Sequence, residues 1–303
     1  MTRHIFTVRA GQTWLNDRPF LARGLRVSNA LVSDDAVAEL LAHLALFADY
    51  GVNTISVFLQ GSRFGDVKGY RADASLDPVY ATRLGQIIEA ADALGMVVLV
   101  GCLYWGDSRA KWASWTQREA NLAVANTVRW LAEHDYRNTF LDVDNEGMAL
   151  RAAGFDNRAL VLAAKAVDPT FMVATNYRGD PPAEADLAVH FSNPAAGKPY
   201  IETEGAPAVV PFGRGYWDEY SKAEGFYGYL RVGVYTDEMK ANQISITRQH
   251  LESGKGYLLA STWLQAPPPQ GPNHRPGGRG SPADPGVLWW LEWLRDTFGP
   301  YRP

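Results

Sequence analysis

The first half of the chain alternates short apolar runs with longer stretches in which apolar residues recur every three or four positions. Runs of the first kind are typical of buried strands, and they occur at 20–27, 52–59, 96–104 and 139–143. Stretches of the second kind are typical of amphipathic helices, and they occur at 34–50, 78–94 and 116–134. We therefore predict that strands and helices alternate from residue 20 onwards.

The second half continues this alternation. Further strand-like runs occur at 171–175, 187–191, 200–203 and 257–264. Further helix-like stretches occur at 158–167, 238–253 and 287–298. Before residue 20, a strand at 5–8 and the turn cluster Asn16-Asp17-Arg18-Pro19 predict a β-hairpin.

Eight strands that are mostly separated by helices predict a parallel sheet with right-handed crossovers. Eight such units in a single domain at 1–303 predict a (β/α)8 TIM barrel, a fold of about 250 residues, with a short N-terminal β-hairpin. A doubly wound sheet is the alternative. That fold would carry a glycine-rich phosphate loop after an early strand, and residues 25–29 show no such pattern.

Two links in the predicted barrel are short: the link between residues 175 and 187, and the link between residues 191 and 200. Parallel strands usually need a dozen or more connecting residues, often with a helix. Either the barrel is irregular on that side, or one of these strands is misplaced.

Residues 265–286 differ from the rest of the chain, because they contain seven prolines and five glycines and show no apolar periodicity. This segment follows the last predicted strand, so it would lie at the C-terminal face of the barrel. A long loop in that place is typical of a lid or a binding loop.

Composition narrows the class of protein. Hydrophobic residues make up 47% of the chain and charged residues 20%, which predicts a globular protein with a large core. The net charge of −4 argues against a nucleic-acid partner, since such proteins concentrate basic residues on their surface. Cys102 is the only cysteine, so an internal disulfide is excluded.

No segment of the sequence predicts a membrane partner. The N-terminus lacks the apolar core of a signal peptide. The longest uncharged apolar stretch, 94–106, is too short to span a bilayer as a helix. These features predict a soluble and cytoplasmic protein, or a secreted one if a leader was removed.

Two predicted strands end on glutamates. Asn145-Glu146 follows the fourth strand, and Glu204 follows the seventh. The active site of a barrel lies at the C-terminal ends of its strands, so both carboxylates would reach one pocket. Cleavage of a glycosidic bond requires two such groups, one protonated and one ionised. Glu202 shares a strand face with Glu204 by alternation, and we predict that it supports the pair.

Several motifs resemble those of the clan A glycoside hydrolases, the (β/α)8 group that includes the family 5 cellulases and mannanases and the family 2 β-glycosidases. Residues 14–24 resemble the L-N-G-K-P-F and R-G entry into the first strand, and residues 50–55 resemble the second strand. Asn145-Glu146 matches the Asn-Glu of the fourth strand. Pro199 with Glu204 matches the K-P-x-x-x-x-E of the seventh.

The resemblance implies hydrolysis of a β-configured glycosidic bond, with net retention, in an oligosaccharide or glycoside substrate. It implies that Glu146 is the acid/base, that Glu204 is the nucleophile and that Asn145 binds the sugar 2-hydroxyl. Trp263 stands where the family carries an aromatic floor for the sugar. No metal or other cofactor is predicted, because no cluster of His, Cys and Asp has metal-ligand spacing.

The chain departs from the family pattern in its second and third strands. Ser56 stands where the family often has an arginine that holds the nucleophile, so Arg23 or Arg26 would replace that arginine from the first strand. Tyr104-Trp105 stands where family 5 has a histidine. We expect some tryptophans near strand ends to stack on sugar, and the candidates are Trp105, Trp112, Trp115 and Trp217.

The sixth strand departs as well. Its family motif, His-x-Tyr, reads His190-Phe191-Ser192 in this chain. His190 is a candidate substrate contact, with a buried structural role as the alternative. Tyr177 or Tyr216 is the candidate for the missing phenol.

These departures leave two alternatives to a hydrolase. One is a non-catalytic carbohydrate-binding barrel, and the other is a transglycosylase that uses the same residues. Arginines in the predicted strand-end loops add the alternative of an acidic sugar, although aspartates accompany them: Arg63, Arg109, Arg151, Arg178, Arg214 and Arg275.

Overall fold

The computed structural model describes residues 2–61, 66–105, 112–204, 237–260, 264 and 287–303. Several predictions lie outside these ranges and stay predictions. They concern the proline-rich segment 265–286, the aromatic residues Tyr216, Trp217 and Trp263, and four of the six loop arginines.

Eleven strands occur in these ranges. Three form an antiparallel sheet, namely β1 (Phe6–Arg9), β2 (Gln12–Leu15) and β3 (Arg18–Pro19). Eight form a closed parallel barrel, namely β4 (Arg23–Arg26), β5 (Thr54–Phe58), β6 (Val97–Leu103), β7 (Thr139–Asp144), β8 (Val173–Thr175), β9 (Leu187–Val189), β10 (Tyr200–Glu202) and β11 (Gly256–Ala260). The predicted TIM barrel with an N-terminal hairpin is confirmed.

Seven α-helices occur in the same ranges, and they are α1 (Asp34–Asp49), α2 (Pro78–Ala93), α3 (Gln117–Glu133), α4 (Met148–Ala153), α5 (Asn157–Val167), α6 (Asp237–Glu252) and α7 (Leu288–Phe298). Polar caps mark where they begin. Ser33 accepts a hydrogen bond from the Ala36 amide at the start of α1, and Thr116 with Glu119 forms a capping box before α3. Among these helices, none combines the length and apolar character needed to cross a membrane.

The barrel is irregular between β8 and β10. Ala174 pairs in parallel with Leu187, and Ala188 pairs in parallel with Tyr200, although the links at 176–186 and 190–199 contain no helix. The strands on this side have only three residues each, so a short link suffices to return the chain to the start of the next strand. Of the two alternatives raised by the sequence, the irregular barrel is therefore correct.

The hairpin packs against the N-terminal end of the barrel. The Phe6 ring stacks on Phe140 of β7, with ring centroids 4.9 Å apart, and meets Phe20 edge-on. The Phe6 amide donates a hydrogen bond to the carbonyl of Arg137, just before β7 begins. Apolar side chains inside the barrel, including Leu99, continue this cluster. Because the hairpin and this apolar cluster occupy the N-terminal end of the barrel, polar functional side chains are expected at its C-terminal end.

Gly101 on β6 makes room for the ring of Phe58. A Cβ atom at position 101 would lie 1.9 Å from Cδ1 of that ring. The same ring faces the Arg26 guanidinium, whose Cζ lies 4.7 Å from the ring centroid. The missing side chain at position 101 therefore determines where Phe58, and with it Arg26, can lie.

We expect Gly101→Ala to lower the free energy of unfolding by about 1–3 kcal/mol, as overpacked cores do. In a Phe58→Ala background the same substitution should cost much less, because the ring that it meets is absent. Urea unfolding of the four proteins measures this coupling. Equal costs in the two backgrounds would show that the ring is not the constraint.

Candidate active site

The C-terminal ends of β7 and β10 bring the two predicted carboxylates together. Glu146 lies in the short 3-10 turn Asn145–Gly147 that follows β7, and Glu204 lies two residues after β10. One oxygen of each carboxylate and one nitrogen of His190 lie within 4.8 Å of one another. The side chain of Glu146 is 16% exposed and that of Glu204 is 7% exposed, so both are largely withdrawn from solvent.

The backbone at Glu146 is left-handed, with φ 54 and ψ 17, a conformation uncommon for a residue with a side chain. Gly147 is left-handed as well, and a Cβ there would lie 2.8 Å from Cβ of Tyr177. Asp144 stabilises this turn from below, because its carboxylate accepts hydrogen bonds from the amides of Ala149 and Leu150 in α4. The strand therefore turns sharply at the glutamate.

Arg26 is fully buried and joins the two carboxylate-bearing strands. Its Nη2 atom lies 3.0 Å from Oε1 of Glu204 and also donates to Oδ1 of Asn145 at 3.0 Å. The guanidinium faces the ring of Phe58, a favourable cation–π arrangement. Burial would lower the pKa of Arg26, but the charge of Glu204 and its neighbours outweighs burial and raises it. Arg26 is therefore a buried cation that depends on its partners.

Of the two predicted replacements for the missing arginine, the structure places only Arg26 at the site. Arg26 is the register partner of Ser56 in the β4–β5 pairing, so the cation lies one strand away from its expected place. The Arg23 guanidinium instead lies over the ring of Phe298 in α7, 4.8 Å from the ring centroid.

His190 and Glu202 form a buried ion pair behind Glu204. Nδ1 of His190 lies 2.7 Å from Oε1 of Glu202, and the same oxygen accepts the amide of Glu204 at 2.8 Å. The single hydrogen of the Tyr200 hydroxyl faces two acceptors, the His190 carbonyl at 2.6 Å and Oε2 of Glu202 at 3.2 Å. Glu202 thus connects the histidine to the backbone of Glu204.

The charge of this pair follows from its surroundings. Burial would lower the pKa of His190, but the carboxylates of Glu202 and Glu204 outweigh burial and raise it to about 9. Burial would raise the pKa of Glu202, but His190 outweighs it and the pKa is lowered. At neutral pH the two residues therefore form a charged pair inside the barrel.

For Glu146, unlike Glu202, the effect of burial on the pKa is not outweighed. Burial raises the pKa of that carboxyl, the negative charge of Glu204 raises it further, and the result is a pKa of about 8 despite the opposing charges of His190 and Arg26. Glu146 is therefore mostly protonated at neutral pH. The exposed Arg151 of α4 lies 3.7 Å from Glu146, the longest ion pair at this site.

Three further candidate residues have contacts within the protein. Glu202 is fully buried and its two oxygens bind protein groups, so it supports Glu204 and does not face a substrate. Trp105 is 6% exposed and packs on Trp115 and Phe155. The Tyr177 hydroxyl donates to the Asp180 carbonyl, not to a catalytic carboxylate. Glu202 and Trp105 are thus buried among protein groups, whereas Tyr177 is half-buried.

Sequence reasoning missed two residues beside Asn145, namely Asp142 and Asn176. Asn176 donates from Nδ2 to Oδ2 of Asp142 at 2.8 Å and to Oδ1 of Asn145 at 3.2 Å. Two signals were present in the sequence. Asp142 interrupts the apolar run of β7, and Asn176 is the first residue after β8.

Glu146, His190 and Glu204 are close enough to be considered as ligands of a cation. The charges do not favour one, because the buried Arg26 guanidinium already lies 3.0 Å from Glu204 and would repel a second cation there. The arrangement suits proton transfer between carboxyl groups better than metal binding.

Comparison with known proteins gives matches in structure only. No protein-family model matches the chain, and no curated protein sequence matches it. A solved glycoside hydrolase is similar with a TM-score of 0.58 at 15% identity, over 97% of this chain and 74% of that chain. A β-glucanase from Saccharophagus degradans is similar with a TM-score of 0.53 at 15% identity, over 86% of this chain and 84% of that chain.

A β-1,4-D-mannanase from Cryptopygus antarcticus is similar with a TM-score of 0.52 at 12% identity, over 86% of this chain and 88% of that chain. A family 5 glycoside hydrolase from Bacteroides vulgatus has a TM-score of 0.53 at 14% identity, and this chain covers 63% of its length. Likeness at such low identity shows the fold. The chain therefore has the same closed (β/α)8 barrel as these glycoside hydrolases.

Proposed function

We propose that this protein is a retaining glycoside hydrolase that cleaves a β-configured glycosidic bond. The observation that carries the proposal is the separation of Glu146 and Glu204, which offer oxygens within 4.8 Å of each other from two barrel strands. The two carboxyl groups lie about 5–5.5 Å apart in retaining enzymes and about 6.5–9.5 Å apart in inverting ones, where a water must fit between. The observed separation supports the retaining arrangement.

The charges around the two carboxyl groups support different roles for them. Glu146, with a pKa of about 8, holds a proton at neutral pH and can give it to the leaving oxygen. Glu204 has the Arg26 cation 3.0 Å away, which suits a nucleophile that must carry negative charge. One acid and one carboxylate are what double displacement needs at its start.

The reaction then has two steps. Glu204 attacks the anomeric carbon while Glu146 protonates the leaving oxygen, which gives a glycosyl-enzyme ester and a free alcohol. Glu146, now ionised, takes a proton from water as the water attacks the same carbon. The ester bond to Glu204 breaks, and the sugar leaves with its original configuration.

Asn145 supports recognition of the sugar in this scheme. Its Oδ1 atom accepts hydrogen bonds from Arg26 and Asn176. Its Nδ2 atom is buried and has no hydrogen-bond partner among the described residues. A buried donor in this state costs free energy unless a partner arrives, and the sugar 2-hydroxyl is the partner that we propose.

The named activities of the structural neighbours favour a β-linked substrate. They include a β-glucanase and a β-1,4-D-mannanase. A family 5 mannosidase from Rhizomucor miehei, with a TM-score of 0.52 at 9% identity, was solved with mannosyl-fructose. An oligosaccharide or aryl β-glycoside is therefore the substrate class to test first.

We expect Glu146→Ala to reduce kcat/KM for a substrate with an unactivated leaving group by about 10²–10⁴-fold, because the general acid is lost. Glu204→Ala should abolish turnover. Azide should rescue both variants on an activated aryl β-glycoside, giving the α-glycosyl azide with Glu204→Ala and the β-glycosyl azide with Glu146→Ala. NMR of the products measures the configuration.

Exposed Glu133→Ala serves as the matched control and should behave as wild type. The same azide from both catalytic variants would contradict the assigned roles. Tight oligosaccharide binding without turnover by the wild type would instead identify a non-catalytic barrel. Transfer to an added sugar acceptor in preference to water would identify a transglycosylase.

The two carboxyl groups should also be coupled in their titration. We expect Glu204→Gln to lower the apparent pKa of Glu146, because the substitution removes a negative charge and keeps the shape. The pKa should stay above its ordinary value, because burial persists. Titration of the Glu146 carboxyl by 13C NMR measures the change, with Glu133→Gln as control. An unchanged pKa would show that the charge of Glu204 does not affect the titration of Glu146.

A further inference from the structure

We infer that Asn176 and Asp142 are positioning residues that fix the orientation of the Asn145 carboxamide. The consequence for sugar recognition rests on the proposed function. The orientation itself follows from contacts inside the protein, so it can be measured without any substrate.

The carboxamide of Asn176 is held at both ends. Its oxygen accepts the Phe191 amide at 3.1 Å. Its NH2 group donates one hydrogen to Asp142 at 2.8 Å and the other to Asn145 at 3.2 Å. Turning the carboxamide over would place its NH2 group against a backbone N–H and its oxygen against a carboxylate. Asn176 therefore has one orientation, and it presents a donor to Asn145.

The NH2 group of Asn176 in turn fixes the orientation of the Asn145 carboxamide. Its Oδ1 atom receives one hydrogen bond from Asn176 and a second from Nη2 of Arg26. A flipped carboxamide would point its own NH2 group at these two N–H donors, which is unfavourable in a buried site. The NH2 group of Asn145 must then face away from both, and it has no partner among the described residues.

The carboxylate of Asp142 explains why Asn176 is held so firmly. Asp142 is fully buried on β7, three residues before Asn145, where an apolar side chain would be the expected filling of a barrel. Its two oxygens accept from Asn176 and, at 3.3 Å, from the Asp144 amide. Burial raises the pKa of Asp142 to about 7, but its Oδ2 atom can accept from Asn176 in either protonation state, so it directs the NH2 group of Asn176 towards β7.

Asp142, Asn176 and Asn145 thus form a chain of hydrogen bonds that leads from the barrel interior to the site. Asp142 orients Asn176 across the β7–β8 boundary, and Asn176 orients Asn145 back on β7. Arg26 completes the arrangement from β4 and ties it to Glu204. Asp142 and Asn176 do not touch the carboxylates of Glu146 or Glu204 in any hydrogen bond or ion pair among the described contacts, so they act through Asn145.

The kinetic test is a double-mutant cycle. Asn176→Leu removes both donors at similar volume and should lower kcat/KM for an aryl β-glycoside about 3- to 10-fold, as loss of one oriented hydrogen bond does. The loss should disappear in an Asn145→Ala background and on the 2-deoxy glycoside. Additive losses, or an equal loss on the 2-deoxy substrate, would overturn the inference.

Conservative variants separate orientation from simple damage to the fold. Asp142→Asn keeps an oxygen that can accept from Asn176, so it should lose less activity than Asp142→Leu. Ser192→Ala is the matched control, since it removes a buried hydroxyl that bonds to Thr175 at the same strand junction and does not contact Asn145. A loss with Ser192→Ala as large as with Asn176→Leu would indicate a structural effect and contradict the inference.

The orientation is also visible without turnover. The NH2 signals of Asn145 in a 15N–1H NMR spectrum can be assigned by their absence in Asn145→Ala. They should shift in Asn176→Leu and in Asp142→Leu, and stay unchanged in Ser192→Ala. Unchanged signals in the first two would overturn the inference even if the protein is an active glycosidase. Shifted signals in a protein that cleaves no glycoside would instead support it while refuting the proposed function.

Discussion

The burial of one positive charge, Arg26, is the constraint on which the site depends. A guanidinium removed from water is stable only if its donors find acceptors. The barrel supplies Glu204 from β10, Asn145 from β7 and the ring of Phe58 from β5. Removing any of these partners would leave the buried guanidinium with a partner missing in a low-dielectric interior, so the positions of Glu204 and Asn145 depend on each other.

The other buried charges are arranged around this cation. His190 and Glu202 neutralise each other behind Glu204, which leaves the charge of Glu204 opposite Arg26. Among the described residues, Glu146 has no cation as close as this, and burial and the charge of Glu204 raise its pKa to about 8. The two carboxyl groups thus have different surroundings, because Glu204 has a buried cation at 3.0 Å and Glu146 has the exposed Arg151 at 3.7 Å.

Much of the fold could be predicted from the order of apolar runs and helical periodicity. The eight barrel strands and the hairpin are where the pattern predicted them, because buried strands and amphipathic helices differ in spacing. Helix α4 was not predicted. It has only six residues, and two of its amides donate hydrogen bonds to Asp144, which no periodicity reveals. The short links before and after β9 left two interpretations open. Such links suffice only because the strands that they join have three residues each, and strand length is a property of the closed barrel.

The sequence by itself determined the barrel and the strand ends that carry Glu146 and Glu204, because strand order and the residues that follow each strand are local properties of the chain. Only the tertiary structure decided between Arg23 and Arg26, paired Glu202 with His190, and joined Asp142 to Asn176. These partners lie on different strands, and they meet only when the barrel closes. The protonation states of these side chains then depend on their burial and on partners at hydrogen-bond distance. The order of residues encodes neither.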